Sequence, residues 1–422
     1  KNYASFTFDQ DNFESAAFLY NIANNILLLD TTDIENRDYI NSIMFSLSKI
    51  YLSTDTTYKA EFCLNYILKR TKKSEHINCN THFLKGFLQY KNNEFKKSLN
   101  TYNYCQDCYE DHFEENSQSY ASLYASFCGV NTVLGNYKEA IDYINKSLSI
   151  TENNLGVNHI NYAQQLRYLA ELNYLMGNYY KSKENYQTVI SILNKNLDIG
   201  NNYLPQSLIG FALVEQKLGE YNNALKHTKK ALEIADELNF LDSPTNTILF
   251  NSAGNIFYYQ GYNNIADSLL KKSQKILFDF EQYNSINRAN ADNGIGLLLM
   301  DKGRYHEADS CFQSALILYD NIFPESHPSE AIVLINNAQI KIMVNSFLEA
   351  EELLEQAKTI CQKFYDQDHD IYADLYITFG DLEYKMKQIQ KSRDYYKLAA
   401  DIYKNKFGSD HILTKQARKK MY

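Results

Sequence analysis

Small and apolar residues recur along this chain with a period of 42 positions and keep their register through eight copies. The first column holds only small residues, which are Gly86, Cys128, Ala170, Ala212, Gly254, Gly296, Ala338 and Gly380. An aliphatic residue follows two positions later in every copy. A second small column lies twelve positions after the first, and an apolar column lies ten positions after that. Self-similarity at a fixed period predicts a solenoid, in which each repeat packs on its neighbours.

Within each repeat the spacing predicts two antiparallel helices joined by a turn. The turn reads Gly-Asn-Tyr at Gly135 and Gly177, and similar sequences follow Gly219 and Gly303. Glycine permits the left-handed conformation that commonly ends a helix. The last repeat has Lys387 at this place. Because lysine tolerates a positive φ less well, we expect the last turn to be built differently.

The repeat boundaries predict a single solenoid over residues 1–422. It comprises a half repeat (1–34), two first full repeats (35–74 and 75–114), seven 42-residue repeats (115–408) and a capping helix (409–422). The half repeat rests on a predicted helix over about residues 9–30, which has the second-helix pattern without a partner upstream. The chain starts with Lys1 at the foot of that helix, so we interpret it as a fragment of a larger polypeptide.

These columns and turns resemble those of the tetratricopeptide repeat, a helix–turn–helix unit usually of 34 residues. The usual tryptophan is missing, since the chain contains none. The longer period and the histidine-containing connections look like the variant found in kinesin light chains, which also precedes caspase-like CHAT domains in bacterial proteins. The resemblance implies an all-α, right-handed α-solenoid that recognises a protein or an extended peptide along a concave groove.

Composition narrows the function. The formal charge of −9 argues against a nucleic-acid partner, which would require a basic face. No stretch approaches the roughly 20 apolar residues of a membrane span. Seven cysteines, an odd number in a long chain, predict free thiols and a reducing, cytoplasmic compartment.

Candidate catalytic chemistry is sparse. Cys105 and Cys108 have a redox-like or metal-like spacing, but both fall in core columns, so we interpret them as buried packing residues. Four histidines recur at one position of the repeat, which indicates a loop-building role; they are His159, His327, His369 and His411. We therefore predict no enzyme activity, no cofactor and no metal.

The remaining candidate is the arc of the first helix opposite its buried columns. On a helical wheel this arc contains the positions six and three before the small residue, and those one, four and five after it. In the middle of the array these positions carry Gln164, Arg167, Glu171, Tyr174, Gln206, Asn251, Asn255, Tyr258, Tyr259, Asn290 and Asn293. Amides can hydrogen-bond a peptide backbone and tyrosine adds flat apolar area, so these residues are predicted to line the groove. Asn251 and Asn255 are expected to grip one peptide unit. The alternative is that all eleven are ordinary exposed residues.

The leading hypothesis is a scaffold that acts as the sensing or recruiting region of a larger protein, such as a bacterial caspase-like peptidase. A second hypothesis is a regulatory module of a sensor kinase or transcription regulator. A third is a self-assembling adaptor that forms a homodimer through its N-terminal helix.

Overall fold

The computed structural model describes residues 34–53, 55–196, 203–238, 243–323 and 325–422. The structure is 82% helical, and the described residues form 19 α-helices without a strand. The predicted helix at 9–30 and the half repeat lie outside the described residues. In chain order the helices are α1 (Ile34–Ser53), α2 (Thr57–Leu68), α3 (His76–Lys91), α4 (Phe95–Glu110), α5 (Gln118–Val133), α6 (Tyr137–Leu155), α7 (Ile160–Leu175), α8 (Tyr179–Lys195), α9 (Leu204–Lys217), α10 (Tyr221–Glu237), α11 (Thr247–Tyr259), α12 (Asn263–Asp279), α13 (Ile286–Asp301), α14 (Tyr305–Ile322), α15 (Pro328–Met343), α16 (Phe347–Phe364), α17 (Asp370–Lys385), α18 (Ile389–Phe407) and α19 (Ile412–Lys420).

The chain divides into two compact units. The described part of the first unit spans residues 34–134 and 138–156, and the second unit spans 157–422 together with the turn 135–137. In each unit, consecutive helices pack as antiparallel pairs, and each pair packs on the next. The predicted all-α solenoid of helix pairs is therefore confirmed. That the whole of 1–422 forms one solenoid stays a prediction.

The small columns let the two helices of a repeat approach closely. Ser98 in the second helix of its repeat donates a hydrogen bond of 2.7 Å to the carbonyl of Gly86 in the first. The same bond, also 2.7 Å, joins Ser182 to Ala170 in a later repeat. A hydroxyl can reach a backbone carbonyl only where neither helix carries a large side chain at the crossing, which explains why these columns are small.

The turns end their helices through positive φ, as predicted. Gly177 has φ of 72°, and the next residue, Asn178, donates from its backbone to the carbonyl of Asn173 at 2.7 Å. The expectation of a different last turn is wrong: Lys387 has φ of 64°, and Gln388 donates to the matching carbonyl at 2.8 Å. The penalty of roughly 1–2 kcal/mol for a side chain in this conformation is offset by the hydrogen bonds and packing of the turn.

The structure also corrects the prediction that all cysteines are free thiols. Cys79 of α3 and Cys108 of α4 form a disulfide, with their Cα atoms 5.9 Å apart. This separation falls within the range that a disulfide requires, because both residues lie where the helix pair comes close. Five further cysteines are free thiols, namely Cys63, Cys105, Cys128, Cys311 and Cys361. Cys105 is buried, in agreement with its assignment to the core.

Candidate functional site around Lys217, Asp370 and Asp374

The recurring histidines begin helices in the structure. His159, His327, His369 and His411 are the N-cap residues of α7, α15, α17 and α19, and the Nδ1 atom of each accepts a backbone hydrogen bond. An N-cap acceptor satisfies one of the backbone N–H groups that the first turn of a helix leaves unpaired. The predicted loop-building role of these histidines is therefore confirmed.

His369 also connects distant parts of the second unit. Because its Nδ1 accepts from Ile371 at 3.1 Å, the ring proton lies on Nε2, which donates to the carbonyl of Leu175 at 3.1 Å. These residues are 194 positions apart. The neighbouring turn is close-packed, since a Cβ atom on Gly177 would lie 3.0 Å from the His369 ring. The N-terminus of α17 is thereby held against the C-terminal end of α7.

A buried ion pair lies beside this contact. Lys217, at the C-terminus of α9, donates from Nζ to Oδ2 of Asp370 at 2.7 Å, and Tyr179 donates to Oδ1 at 2.6 Å. The Asp370 side chain is 1% exposed and that of Lys217 is 33% exposed. Burial alone would raise the pKa of Asp370, but the Lys217 ammonium and the two hydrogen bonds bring it well below its usual value. Asp370 is thus a carboxylate at neutral pH.

A second carboxyl group lies within electrostatic range of the same ammonium. Asp374 lies one turn after Asp370 on α17, and its Oδ1 accepts a hydrogen bond from Tyr403 of α18. Burial raises the pKa of Asp374, Lys217 opposes this effect, and the neighbouring Asp370 charge adds to it. Like charges four residues apart on a helix repel each other. One cation therefore serves two carboxyl groups, and a second cation would stabilise the ionised form of Asp374.

Tyrosine rings surround this charged group. The ring of Tyr174 packs edge-on against that of Tyr179, with centroids 5.5 Å apart. Burial raises the pKa of Tyr174 and of Tyr259, and the Lys217 charge lowers both, which places the two rings near Lys217. Tyr259 is nevertheless 63% exposed. We call Lys217, Asp370, Asp374, Tyr174 and Tyr259 the Lys217 site.

Two of the eleven predicted groove residues, Tyr174 and Tyr259, thus belong to the Lys217 site. Gln164 and Gln206 are half-buried. Arg167 and Glu171, four residues apart on α7, form an ion pair at 3.7 Å. The guanidinium group of Arg167 and the carboxylate of Glu171 therefore interact with each other within α7.

The other predicted residues lie on α11 and α13. Asn290 accepts a hydrogen bond from Tyr319 at 2.9 Å, and Asn293 accepts one from Asn336 at 3.0 Å. The ring of Tyr258 lies edge-on to that of Tyr259, with centroids 5.2 Å apart. The contacts of Asn290 and Asn293 tie α13 to α14 and α15, whereas Tyr258 contacts Tyr259 of the Lys217 site within α11.

The structure gives Asn251 a different role from the one expected. Asn251 is 3% exposed, and its Nδ2 donates to the carbonyl of Asn287 at 2.8 Å, so it links α11 to α13. Asn255 is half-buried, and its Oδ1 has no hydrogen-bond partner among the described residues. Asn251 is therefore unavailable to grip a peptide together with Asn255. The position three before the small residue faces the next repeat here.

The sequence pattern alone did not mark Lys217, Asp370, Asp374 or Tyr403 as site residues. A signal was present for two of them, since Lys217 lies five positions after Ala212 and Asp374 lies six before Gly380. Both positions belong to the predicted inner arc. No repeat column marks Asp370 or Tyr403 as inner residues, and only the structure brings them to the site.

A groove of about 490 Å³ lies on the other side of Tyr179. Its lining comes from the turn before α8, the loop before α17 and the end of α18, and includes Lys181, Asp368, Ile402 and Lys406. Lys406 and Asp368 form an ion pair across it at 3.3 Å. Because Lys406 and Asp368 already pair with each other and Lys181 is exposed, this groove is a weaker candidate than the Lys217 site.

Comparison with known proteins supports the repeat assignment. A family model described as "Tetratricopeptide repeat" matches residues 119–195, 287–363 and 329–405. The chain therefore contains tetratricopeptide repeats in these segments. A curated relative, the "Clustered mitochondria protein homolog" of Candida albicans, is 21% identical over 188 residues. That match spans 42% of this chain but 13% of the relative.

Two solved structures share the fold over most of the chain. A Rap protein complexed with competence and sporulation factor aligns with a TM-score of 0.60 at 15% identity, covering 90% of this chain and 99% of that one. Aspartyl phosphate phosphatase F from Bacillus subtilis aligns with a TM-score of 0.52 at 14% identity, covering 86% and 92%. Identities this low show the fold alone. In the described part of the chain, every helix is too short or too polar to cross a bilayer.

Proposed function

We propose that the second unit is a non-catalytic scaffold that binds a protein segment or extended peptide through the Lys217 site. A cationic group of the ligand, a lysine or arginine side chain or a free amino terminus, binds Asp374. The rest of the ligand follows the inner arc of the first helices, which forms a concave groove. Tyr259 and Tyr174 contact the aliphatic part or the cation itself.

One observation carries this proposal, namely that the Lys217 ammonium, which forms an ion pair with Asp370, also acts electrostatically on the neighbouring carboxyl group of Asp374. The pKa of Asp374 is raised by burial and by Asp370, so its ionised form is destabilised in the free protein. An incoming cation removes this penalty and gains a charge-assisted hydrogen bond. The exposed face of Tyr259 offers a cation–π contact at the same place.

The fold supports this function. Tetratricopeptide arrays present extended surfaces of side chains from successive first helices, which suit binding of a protein segment. The Rap protein that aligns with this chain was crystallised with competence and sporulation factor, so the shared architecture is compatible with holding a regulatory ligand.

The test uses the whole chain, immobilised and probed with a random linear-peptide library. Selected peptides are expected to be enriched in lysine or arginine. One selected peptide is then titrated against the Asp374→Asn variant, whose affinity should fall by about 10-fold or more, because a hydrogen bond to a charged group contributes roughly 1.5–3 kcal/mol. Asp401→Asn removes the same formal charge from an exposed position of α18 and serves as the matched control.

Equal affinity of the parent and Asp374→Asn proteins would place the binding surface elsewhere. Selection of peptides without cationic residues would contradict the chemistry assigned to the site. Replacing the selected lysine by norleucine in the peptide should reproduce the loss seen with Asp374→Asn. The combined change should then cost little more than either change alone.

We propose a wider role for this scaffold as well. The scaffold is the sensing or recruiting region of a larger polypeptide, and one concrete version places it before a bacterial CHAT caspase-like peptidase domain. A sensor kinase or a transcription regulator as the adjoining domain is the alternative, and the full-length sequence decides between them. A homodimer through the predicted helix over about residues 9–30 is the third version. A monomer by light scattering at high concentration would count against it.

A further inference from the structure

A cluster of metal-ligand side chains lies in the first unit, apart from the Lys217 site. Cys79 of α3 faces Cys108 of α4, and His112 lies one turn after Cys108. The two sulfur atoms and a ring nitrogen of His112 all lie within 4.8 Å of one another. Both cysteines are buried and His112 is half-buried. His112 is therefore the member of the cluster that lies nearest to solvent.

Packing does not require ligand-type residues at these positions. Cys79 lies in a column where the next two repeats have Ala121 and Ala163, and Cys108 lies in one otherwise held by isoleucine or leucine. The positions aligned by sequence also correspond in the structure. The Cys105 thiol contacts the Cys79 carbonyl at 3.9 Å, and one repeat later the Ser147 hydroxyl donates a hydrogen bond to the Ala121 carbonyl at 2.6 Å.

The residue at the His112 position is asparagine in each of the next two repeats, Asn154 and Asn196. Three positions of the repeat therefore carry metal-ligand residues together, and they do so in this repeat only. A further imidazole lies nearby, since the ring of His76 packs edge-on against His112 with centroids 6.0 Å apart. This contact positions the His112 ring beside the sulfur atoms.

We propose that Cys79, Cys108 and His112 bind one zinc-class divalent ion when the Cys79–Cys108 disulfide is reduced. Two thiolates and an imidazole are the donors that zinc prefers, at about 2.3 Å for sulfur and 2.0–2.1 Å for nitrogen. Tetrahedral bonds of these lengths separate the donors by roughly 3.5–3.8 Å. Opening the disulfide and shifting the side chains slightly reaches this spacing from the observed cluster. Water occupies the fourth position.

Metal binding and the disulfide use the same two sulfur atoms, so they exclude each other. Reduction of the disulfide takes up two electrons and two protons and leaves two thiols. The ion then displaces the two thiol protons. In the experiment a phosphine supplies the two electrons, and water supplies the two protons and the oxygen atom of the resulting phosphine oxide.

The test uses the full chain, reduced with a phosphine under argon and titrated with cobalt(II) as a spectroscopic substitute for zinc. We expect one equivalent to bind, with a thiolate-to-cobalt charge-transfer band and the intense ligand-field bands of tetrahedral geometry. Zinc should displace the cobalt. The oxidised protein should show neither band.

Variants that copy residues of the neighbouring repeats separate a loss of metal binding from a loss of folding. Cys79→Ala and His112→Asn introduce residues that the neighbouring repeats already carry at these positions, and each should lower the cobalt affinity at least 10-fold. Cys105→Ser, which copies Ser147, is the control and should bind like the parent. Helical content by circular dichroism checks each variant.

Unchanged cobalt affinity in the Cys79→Ala variant would overturn the proposal. So would a reduced parent protein that binds no more cobalt than this variant does, because the pair would then serve only as a disulfide cross-link.

Discussion

A volume match between helices gives the sharpest prediction about this fold. Where the first small column holds glycine, the residue 16 positions later is often a large aromatic, as in Gly296 with Phe312 and Gly380 with Tyr396. A Cβ atom on Gly380 would lie 2.4 Å from Cε1 of Tyr396. The preceding repeat instead pairs Ala338 with a smaller partner, Leu354. A larger residue in the small column is thus accompanied by a smaller residue 16 positions later.

The perturbation is Gly380→Ala. The ring of Tyr396 would have to retreat by more than 1 Å to restore an ordinary contact of about 3.5–4 Å. It is 3% exposed, and its hydroxyl donates to Asp381 at 2.7 Å, so little room is available. Overpacking costs about 1–3 kcal/mol, from which the better helix propensity of alanine recovers about 1 kcal/mol. We expect a net destabilisation of about 0–2 kcal/mol, toward the upper end because so little room is available.

In a Tyr396→Leu background the sign should reverse. That background copies the Ala338–Leu354 pair, so Gly380→Ala there should stabilise by about 0.5–1 kcal/mol through helix propensity alone. The expected coupling between the two changes is therefore about 2 kcal/mol. Residue-resolved hydrogen exchange of α17 and α18 amides measures it, because a chain with two units is not expected to unfold in one step.

Gly129→Ala is the control, because a Cβ atom on Gly129, in α5, would meet no atom within 4 Å. This change should be neutral or stabilising. A coupling near zero between the Gly380 and Tyr396 changes would refute the volume match. Two pairs depart from this match: Gly254 is followed by Leu270, and Ala170 is followed by Tyr186. The tip of that tyrosine reaches Gly210 in the next first helix, where a Cβ atom would lie 2.3 Å from the hydroxyl.

Three further predictions concern charges in the second unit. Asp370→Asn should destabilise α17 by about 2–3 kcal/mol, which is low for a broken buried ion pair because Lys217 is partly exposed and still has Asp374 nearby. Adding Lys217→Met should recover part of this loss, and unchanged hydrogen exchange in α17 would contradict the prediction. Burial lowers the pKa of His369, so the unfolded chain takes up the proton first and the stability of the fold falls as the pH drops below about 6.5. His369→Asn keeps an N-cap residue and should reduce the change in urea midpoint between pH 7 and pH 5. An equal change in the parent and the variant would disprove the assignment. Burial raises the pKa of Glu330 to about 7, so the stability that its protonated form contributes is lost as the pH rises through 7. Glu330→Gln should therefore be at least as stable as the parent protein at pH 8, measured by urea unfolding. A lower urea midpoint for the variant would contradict this prediction.

Local structure was predictable from the sequence because it depends on near neighbours. The small columns determine how closely two helices of a repeat pack, and the hydroxyl bond from Ser98 to Gly86 reports that approach directly. The turns followed from glycine, and even Lys387 conforms, since the hydrogen bonds of the turn outweigh the penalty for its side chain. The loop histidines also acted as predicted, because an N-cap satisfies donors of the residues directly after it.

The candidate site depended on contacts that no short stretch of sequence contains. Tyr174, Tyr259, Lys217 and Asp374 all lie at inner-arc positions, so the repeat pattern selected their face. Which of them meet is decided by the small rotation that each repeat adds to the next, summed over several repeats. That sum brings Leu175 to within 3.1 Å of His369, 194 residues later.

Asn251 and the Cys79–Cys108 pair show the same division between sequence and tertiary structure. A helical wheel assigns Asn251 to a face but cannot tell whether that face meets solvent or the next repeat, and α13 occupies it here. Cys108 was recognised as a core residue, but Cys79 drew no attention because no short spacing links the two. The sequence by itself determined the repeat, its helices and its turns, since these depend on residues within one or two turns of each other. The tertiary structure alone decided which charges and sulfur atoms converge, because that depends on how packed helices add up in space.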